Sequence, residues 1–434
     1  MEKQAFGIVK TLNKHGFIAY FAGGCVRDKL LKKVSPDIDI ATNAKPSDIE
    51  KIFEKTFPKG AAFGVMSVLI DNHEFEVTTF RKEGCYSDGR HPDHVEFTDE
   101  KQDAFRRDFT INGMFHDPLK KKVIDYVGGK KDLKKKIIRA IGHPEERFSE
   151  DKLRMLRAIR FASSLHFKIE EDTFVAIKKM AHEINQVSFE RIRDEIVKIL
   201  VSGNARKGFE LLDDSGLLMN ILPEISAMKG VEQPPQFHPE GDVFVHTMMI
   251  LEMLRKNVSA DLAVGALLHD VGKPTTFTIK ERIRFDGHVE VGAEMAGKIC
   301  RRLKFSKKTT DHVVELVKQH LKFKDVRKMR ESTLKRFLRQ DGFEDHLELH
   351  RMDCLACHGD LSNHSLCKEK LEYFRKLDLK PVPLLRGKDL IELGLKPGPH
   401  FRLILNYVED AQLEGRVQSK EDALLLAQKH SKKL

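Results

Sequence analysis

The sequence predicts an α+β protein, a small mixed sheet with helices at the N-terminal end followed by an all-helical remainder. Three observations predict it. Two β-rich runs, VMSVLI (65–70) and FEVTTF (75–80), lie in the N-terminal part. From about Phe148 onward apolar residues recur at helical spacing, as at Leu153, Leu156, Ile159 and Ala162. Of 434 residues 41% are hydrophobic and 33% charged, enough apolar material for more than one core.

The elements follow in order. Phe6 to Lys14 reads as a short amphipathic helix. Ile18 to Ala22 is strand-like, and Gly23-Gly24 breaks it. Ile38 to Ala41 is a second short strand. The runs 65–70 and 75–80 are joined by DNHE, which reads as a hairpin turn. Gly128-Gly129, within VIDYVGGKKDL, reads as a hinge. EDKLRMLRAIRFASSL (150–165) reads as one helix. Pro223 and the turn-rich EQPPQFHPEGD (232–242) mark a boundary, and LDLKPVPLL (377–385) a second one. LEMLRK to HVVELVKQHL is helical, interrupted by TIKERIRFDGH (278–288). The expected division is 1–145, 146–230, 231–376 and 377–434, with no internal repeat.

Lys and Arg total 76 against 66 Asp and Glu, a net charge of +10. Such an excess suits a polyanionic partner without requiring one. The six cysteines, at 25, 85, 300, 354, 357 and 367, are scattered. Only Cys354 and Cys357 form a C-x-x-C, with no second pair at zinc-ribbon spacing, so all six read as reduced thiols outside any metal or redox site. No apolar signal core or membrane-length run is present, and a cytoplasmic protein with no membrane contact is expected.

Charge inside the otherwise apolar stretch FAGGCVRDKLLKKVSPDIDIAT (21–42) needs a reason, because an unpaired buried carboxylate is costly. Asp37 and Asp39 stand at i and i+2, on one face if both lie in a strand. Two such carboxylates repel, and a divalent cation relieves the repulsion. Mg²⁺ favours one or two carboxylates together with phosphate oxygens. Gly23 and Gly24 let backbone N–H groups approach a triphosphate, and Arg27 adds charge-assisted donors. D-x-D alone is common. With GGxxRD ahead of it, the set describes nucleotidyl transfer. Glu76, or Glu74 on the same strand face, is the candidate third carboxylate.

GGCVRD followed by DID resembles the first motif of the class II tRNA nucleotidyltransferase and bacterial poly(A) polymerase family, a branch of the polymerase-β-like superfamily. Further motifs agree in order. RRDFTING (106–113) resembles the ribose-contacting motif, DYVGGKKDL (125–133) the hinge between head and neck, EDKLRMLRAIRF (150–161) the nucleotide-reading motif, and VSFERIRDEI (187–196) the helix that braces it. The charged segment 81–97 resembles the family's flexible loop. The resemblance implies a polymerase-β-like head, a helical neck and body, CTP and ATP as substrates, Mg²⁺ as cofactor and the tRNA acceptor arm as partner. Arg107, Asp108 and Asn112 would meet the sugar.

In the reading motif Asp151 and Arg154 are three apart, hence on one face of a helix. Cytosine and adenine both present an amino donor beside an acceptor nitrogen. A carboxylate accepts from the first and a guanidinium donates to the second. Guanine and uracil present the reverse polarity and would leave buried polar groups unpaired. The pair therefore fits addition of C and A without a nucleic-acid template. Addition of CC only or A only, and poly(A) synthesis, stay open.

His246, His269-Asp270 and Asp353 have the H…HD…D order and resemble the HD metal-dependent phosphohydrolase superfamily. Their imidazoles and carboxylates would converge on a divalent transition metal or Mg²⁺, with His288 and His320 as candidate ligands of a second. The implied activity is phosphate-ester hydrolysis. A retained structural module is the alternative, and a phosphohydrolase whose head merely binds nucleotide is the rival of another class.

Overall fold

The computed structural model describes residues 1–60, 63–84, 94–234, 241–279, 281–376 and 382–432. Most of the 81–97 loop's centre and parts of both Pro-bearing boundaries lie outside these residues. The first helix spans Glu2–Lys14 and buries Ala5, Ile8, Val9 and Leu12, an i, i+3, i+4, i+7 face.

Nine strands follow in the described part of the head: β1 (Ala19–Ala22), β2 (Asp39–Thr42), β3 (Thr56–Gly60), β4 (Val65–Ile70), β5 (His73–Thr79), β6 (Arg81–Glu83), β7 (Val95–Phe97), β8 (Met114–Asp117) and β9 (Lys122–Asp125). Seven of them form one sheet in the order β3-β4-β5-β2-β1-β8-β9. β2 and β5 are parallel and the other neighbours antiparallel, so the sheet is mixed. Register positions the chemistry. Ala22 at the end of β1 pairs with Asp39 at the start of β2. The parallel pairing of Ile40 with Val77 then sets Glu76 beside Asp39.

The hairpin turn is tighter than DNHE suggested. Ile70 pairs with His73, leaving only Asp71 and Asn72 in the turn, at φ 49° and 62°. A two-residue turn with both central residues left-handed matches strand twist, and Asp and Asn tolerate that conformation. Asp37 likewise lies outside its expected strand, because β2 begins at Asp39.

Leu153, Leu156, Ile159 and Ala162 are buried along the helix Leu153–Leu165, as their spacing predicts. The helix does not include Asp151. A preceding helix, Pro144–Glu150, ends there, and Asp151 is extended at φ −145°, ψ 103°. Its carboxylate instead accepts from Leu153 N at 3.1 Å, a capping geometry that competes with helix continuation. Gly128, at φ 80°, opens the helix Gly129–Lys135. A Cβ on Gly129 would lie 2.2 Å from Thr110 O, so only glycine permits that packing.

The chain divides into two compact units, Met1–Ala227 with Leu254–Ala260 and Ile299–Phe305, and the remaining segments from Met228 to Leu434. The division falls near Pro223, yet two short stretches of 231–376 belong to the first unit. Asn257 N donates to Val201 O at 3.0 Å, and Arg302 pairs with Glu224 at 2.6 Å. In the second unit a short hairpin, Thr278–Ile279 with Ile283–Arg284, occupies the interruption in the helical pattern. One core there gathers Phe323, Phe337, Phe343 and Phe374. The C-terminal helices pack around Leu390, Ile404, Val408 and Ala423. Among the described residues no helix is long and apolar enough to cross a membrane.

Candidate active site and metal centre

The turn from β1 into the helix Gly24–Leu30 is made by Gly23 at φ 71°, ψ −132°, a conformation that favours glycine. A Cβ there would lie 3.2 Å from Arg107 Nη1 and 3.8 Å from Asp39 Oδ2. Glycine backbone, guanidinium and carboxylate therefore share one end of the sheet. Partial burial raises the Asp39 carboxyl above its usual range. The charge of Glu76 adds to the rise, Arg107 opposes it, and Asp37 adds again. That mutual repulsion is what a divalent cation would relieve. Glu76 accepts from Lys59 Nζ at 2.5 Å, whereas Glu74 is held by Ser67 Oγ at 2.7 Å. Glu76 rather than Glu74 thus belongs to the cluster. Lys59 lies 2.5 Å from Glu76 and 3.5 Å from Glu74, and Asp37, Asp39 and Glu76 do not form a group within 4.8 Å.

Arg27, Asn112 and Asp108 form a buried chain. Arg27 Nη1 donates to Asn112 Oδ1 at 2.8 Å, and Asn112 Nδ2 donates to Asp108 Oδ1 at 3.1 Å. Asp108 Oδ2 accepts from Arg157 Nε at 2.8 Å and Nη2 at 2.5 Å. Burial alone would push the Asp108 carboxyl up, but Arg157 outweighs it and holds the group at about 2. Asp108 and Asn112 therefore face protein partners rather than an open sugar site. Asp103 holds Arg107 at 3.0 Å, and the Arg107 guanidinium lies beside Gly23.

Asp151 and Arg154 are neighbours, though not on one helix. Arg191 Nη2 donates to Asp151 Oδ2 at 2.8 Å. Arg154 Nη1 donates to Glu150 Oε2 at 2.6 Å, and Nη2 to Arg106 O at 3.3 Å. The helix Phe189–Leu200 supplies Arg191 and also Glu195, which pairs with Arg160 at 2.5 Å. Sequence reading missed Arg157, Arg160 and Arg191. The signal was present in the spacing of Arg154, Arg157 and Arg160, three apart on one helix face.

In the second unit the histidines come from helix ends. His246 lies in Val243–Glu252, His269-Asp270 follows Ala260–Leu268, His288 opens one helix, His320 follows Lys307–Gln319, and Asp353 lies in Phe343–Ala356. Asp270 stands between them. Its Oδ2 is 3.1 Å from His269 Nε2 and 3.8 Å from His246 Nε2. Its Oδ1 is 3.7 Å from His320 Nε2 and 3.8 Å from His288 Nε2. His246 Nε2 is 3.2 Å from Asp353 Oδ1. His269, His288 and His320 each direct Nδ1 at a backbone carbonyl, of Ala266, Phe285 and Val317. That fixes the tautomer and leaves Nε2 as a lone-pair donor. The Nε2 atoms of His269 and His288 are buried without a hydrogen-bond partner among the described residues.

Burial would raise the Asp270 carboxyl, but His269 and Lys273 hold it well below the usual range. Burial lowers His320 to about 4. Anionic carboxylates and neutral imidazoles are the states metal ligation requires. The donor atoms fall into three groups, each within 4.8 Å: His246, His269 and Asp270; Asp270, His288 and His320; and His246, Asp353 and Cys357. Cys357 of the C-x-x-C, expected to lie outside any metal site, stands in one of these groups. A cavity of about 790 Å³ opens beside the cluster, with Lys273, Arg282, Arg284 and Lys324 among its lining residues. Sequence reading missed this cationic rim, because its members come from a short helix, a hairpin and a 3-10 helix separated along the chain.

Residues 19–139 match the family described as "Poly A polymerase head domain", residues 166–229 "Probable RNA and SrmB- binding site of polymerase A", and residues 243–349 "HD domain". The chain is 35% identical over 430 residues to the CCA-adding enzyme of Ligilactobacillus salivarius, covering 98% of this chain and 95% of that one. It is 33% identical over 430 residues to the CCA-adding enzyme of Lactococcus lactis subsp. cremoris, covering 97% and 94%. The crystal structure of the Bacillus stearothermophilus CCA-adding enzyme in complex with CTP superposes with a TM-score of 0.75 at 26% identity, over 99% of this chain and 98% of that chain. With this likeness running the full length of both partners, the chain belongs to the CCA-adding enzyme family of nucleotidyltransferases.

Proposed function

We propose that this protein adds C and A residues from CTP and ATP to the 3′ end of tRNA without a nucleic-acid template. The observation that carries the reading is the convergence of Gly23, Asp39, Glu76 and Arg107 at one sheet end. Relatives over the whole length are CCA-adding enzymes, and one structure of comparable fold holds CTP, which supports it.

In this reading segment 1–145 is the catalytic head, 146–230 reads nucleotide and RNA, 231–376 is the HD domain and 377–434 the tail. Asp37 and Asp39, with Glu76, hold Mg²⁺. The bound ion supplies a more acidic 3′-hydroxyl and neutralises the leaving pyrophosphate. The backbone at Gly23-Gly24 and the Arg107 guanidinium receive the triphosphate, and Arg27 stiffens the glycine turn from behind. Asp151 accepts from the base amino group while Arg154 donates to the ring nitrogen. Arg191 and Glu150 hold those two side chains until a base replaces them. The lysines of the helical region bind the acceptor arm through phosphates, and a cytoplasmic location fits that substrate. For the HD domain, the cationic rim around the His-Asp cluster supports hydrolysis of a phosphate ester.

The test gives purified full-length protein with Mg²⁺ three tRNA transcripts, ending before CCA, after C and after CC, with labelled CTP, ATP or both. Completion to CCA and then a stop is the expected result. Addition confined to A on the CC end, or to CC alone, would identify a specialist. Long A tails on any RNA would identify a poly(A) polymerase. No incorporation would overturn the reading.

A further inference from the structure

We propose that Cys357 is a sulfur ligand of the HD metal centre, so that His246, Asp353 and Cys357 form a subsite for a borderline-soft divalent cation of the zinc class. The inference rests on the reading of the HD cluster as a metal centre and goes beyond its H…HD…D set.

The argument begins with the helix. Asp353 and Cys357 are four apart, and the helix Phe343–Ala356 ends with Cys357 as its cap, so both side chains share a face. Cys357 Sγ is 3.6 Å from Asp353 Oδ1 and 3.9 Å from the His246 ring at Nδ1. His246 Nε2 is 3.2 Å from the same Asp353 oxygen. A tetrahedral zinc site has metal–N and metal–O bonds of about 2.0–2.1 Å and metal–S bonds of about 2.3 Å. Its donors are then separated by about 3.3 Å for N and O and about 3.6 Å for S and O. The N–O and S–O spacings at Asp353 fall on these values before any ion is placed; Cys357 touches His246 on the other ring nitrogen, and one donor atom from each of the three residues lies within 4.8 Å of the others.

A second observation points to a ligand. The side chain of His269 is 1% exposed; with Nδ1 directed at Ala266 O, its Nε2 faces the Asp270 carboxylate at 3.1 Å without a well-formed hydrogen bond. Its ring centroid lies 5.4 Å from that of His246. A buried lone pair aimed at the cluster has a cost unless something accepts it. Cys357 is half-buried and lines the cavity, which gives an ion a route in. Thiolate favours zinc-class ions, whereas Mg²⁺ prefers oxygen donors. The head carboxylates and the HD cluster would then draw different metals from one solution. Cys354 does not share the role, because its thiol is buried beside His350 at 3.6 Å.

The test titrates the full-length protein with Co²⁺ and records its absorption spectrum. The expected result is a set of d–d bands that His269→Ala abolishes, together with a sulfur-to-cobalt charge-transfer band in the near ultraviolet. Cys357→Ser should remove the charge-transfer band and keep the d–d bands, and Cys354→Ser should keep both. Loss of even an outer partner of a metal ligand costs about 10- to 100-fold in affinity, so replacing a direct sulfur ligand in Cys357→Ser should weaken Zn²⁺ by at least about tenfold and leave Mg²⁺ affinity unchanged. His269-dependent d–d bands without charge transfer, or charge transfer lost in Cys354→Ser alone, would overturn the ligation and leave the metal centre standing. Absence of any His269-dependent cobalt would overturn the metal-centre reading, and the ligation with it.

Discussion

Asp108 commits both carboxylate oxygens inside the protein, to Phe109 N and Asn112 on one side and Arg157 on the other. Removing one partner of such a pair leaves a buried charge uncompensated. Arg157→Leu should lower stability by about 2–3 kcal/mol, under the usual range of about 3–5 kcal/mol because a third of the Arg157 side chain stays in solvent. Urea unfolding at neutral pH measures it. The sign of the pH dependence follows from Asp108, whose folded value is depressed to about 2. Its contribution is complete above the ordinary value of about 3.9 and fades as pH falls toward the folded one. The gap between wild type and variant should therefore close in acid; a gap unchanged at low pH would contradict the pairing. Asp39 is proposed to serve the chemistry instead. Asp39→Asn should lower nucleotide incorporation by about three decades, equivalent to several kcal/mol of lost transition-state stabilisation. Glu76→Gln should also impair it and Glu74→Gln should not, since Ser67 holds Glu74 outside the cluster. Single-turnover primer extension separates the three.

At the scale of the element, the Asp71-Asn72 turn and the Asp151 break show how local chemistry overrides pattern. Both turn residues sit at positive φ, where glycine carries no Cβ penalty. Asn72→Gly should raise stability by about 0.5 kcal/mol, read as a shift in denaturation midpoint. The break at Asp151 sets Asp151 and Arg154, the pair proposed to read the base, where two helices meet beside the helix Phe189–Leu200. Arg154→Ala should therefore relax rejection of UTP and GTP by about a hundredfold or more, the scale expected when a site built for hydrogen bonds loses one. Unchanged selectivity across the four nucleotides would remove the base-reading role. The periodicity of 153–165 predicted its buried face residue by residue. It could not locate the break, because a carboxylate capping Leu153 N leaves no mark in an apolar pattern.

At the scale of the whole molecule, the two proposed metal sites fall in different compact units. A ligand that binds the folded state alone stabilises it by mass action, about 2.7 kcal/mol at a hundredfold excess over Kd. Zinc should therefore raise the unfolding temperature of the second unit's transition, and a chelator should reverse it. The effect should survive Asp37→Ala and vanish in His269→Ala, followed by calorimetry. A shift of both transitions together would contradict independent metal sites.

Sequence alone determined the class of the fold, the order of the motifs and most of the residues that gather at the two sites. Patterned burial, glycine breaks and the spacing of Asp, His and Arg are local properties, and each is carried by a few neighbouring residues. Tertiary structure alone decided which carboxylate joins Asp39, since strand register selects Glu76 over Glu74. It likewise decided that Asp108 is saturated by Arg157, and that Cys357 stands with His246 and Asp353. Those relations join residues 37, 49 and 111 positions apart along the chain. No spacing rule reaches that far; only packing and pairing of distant elements bring such groups into contact.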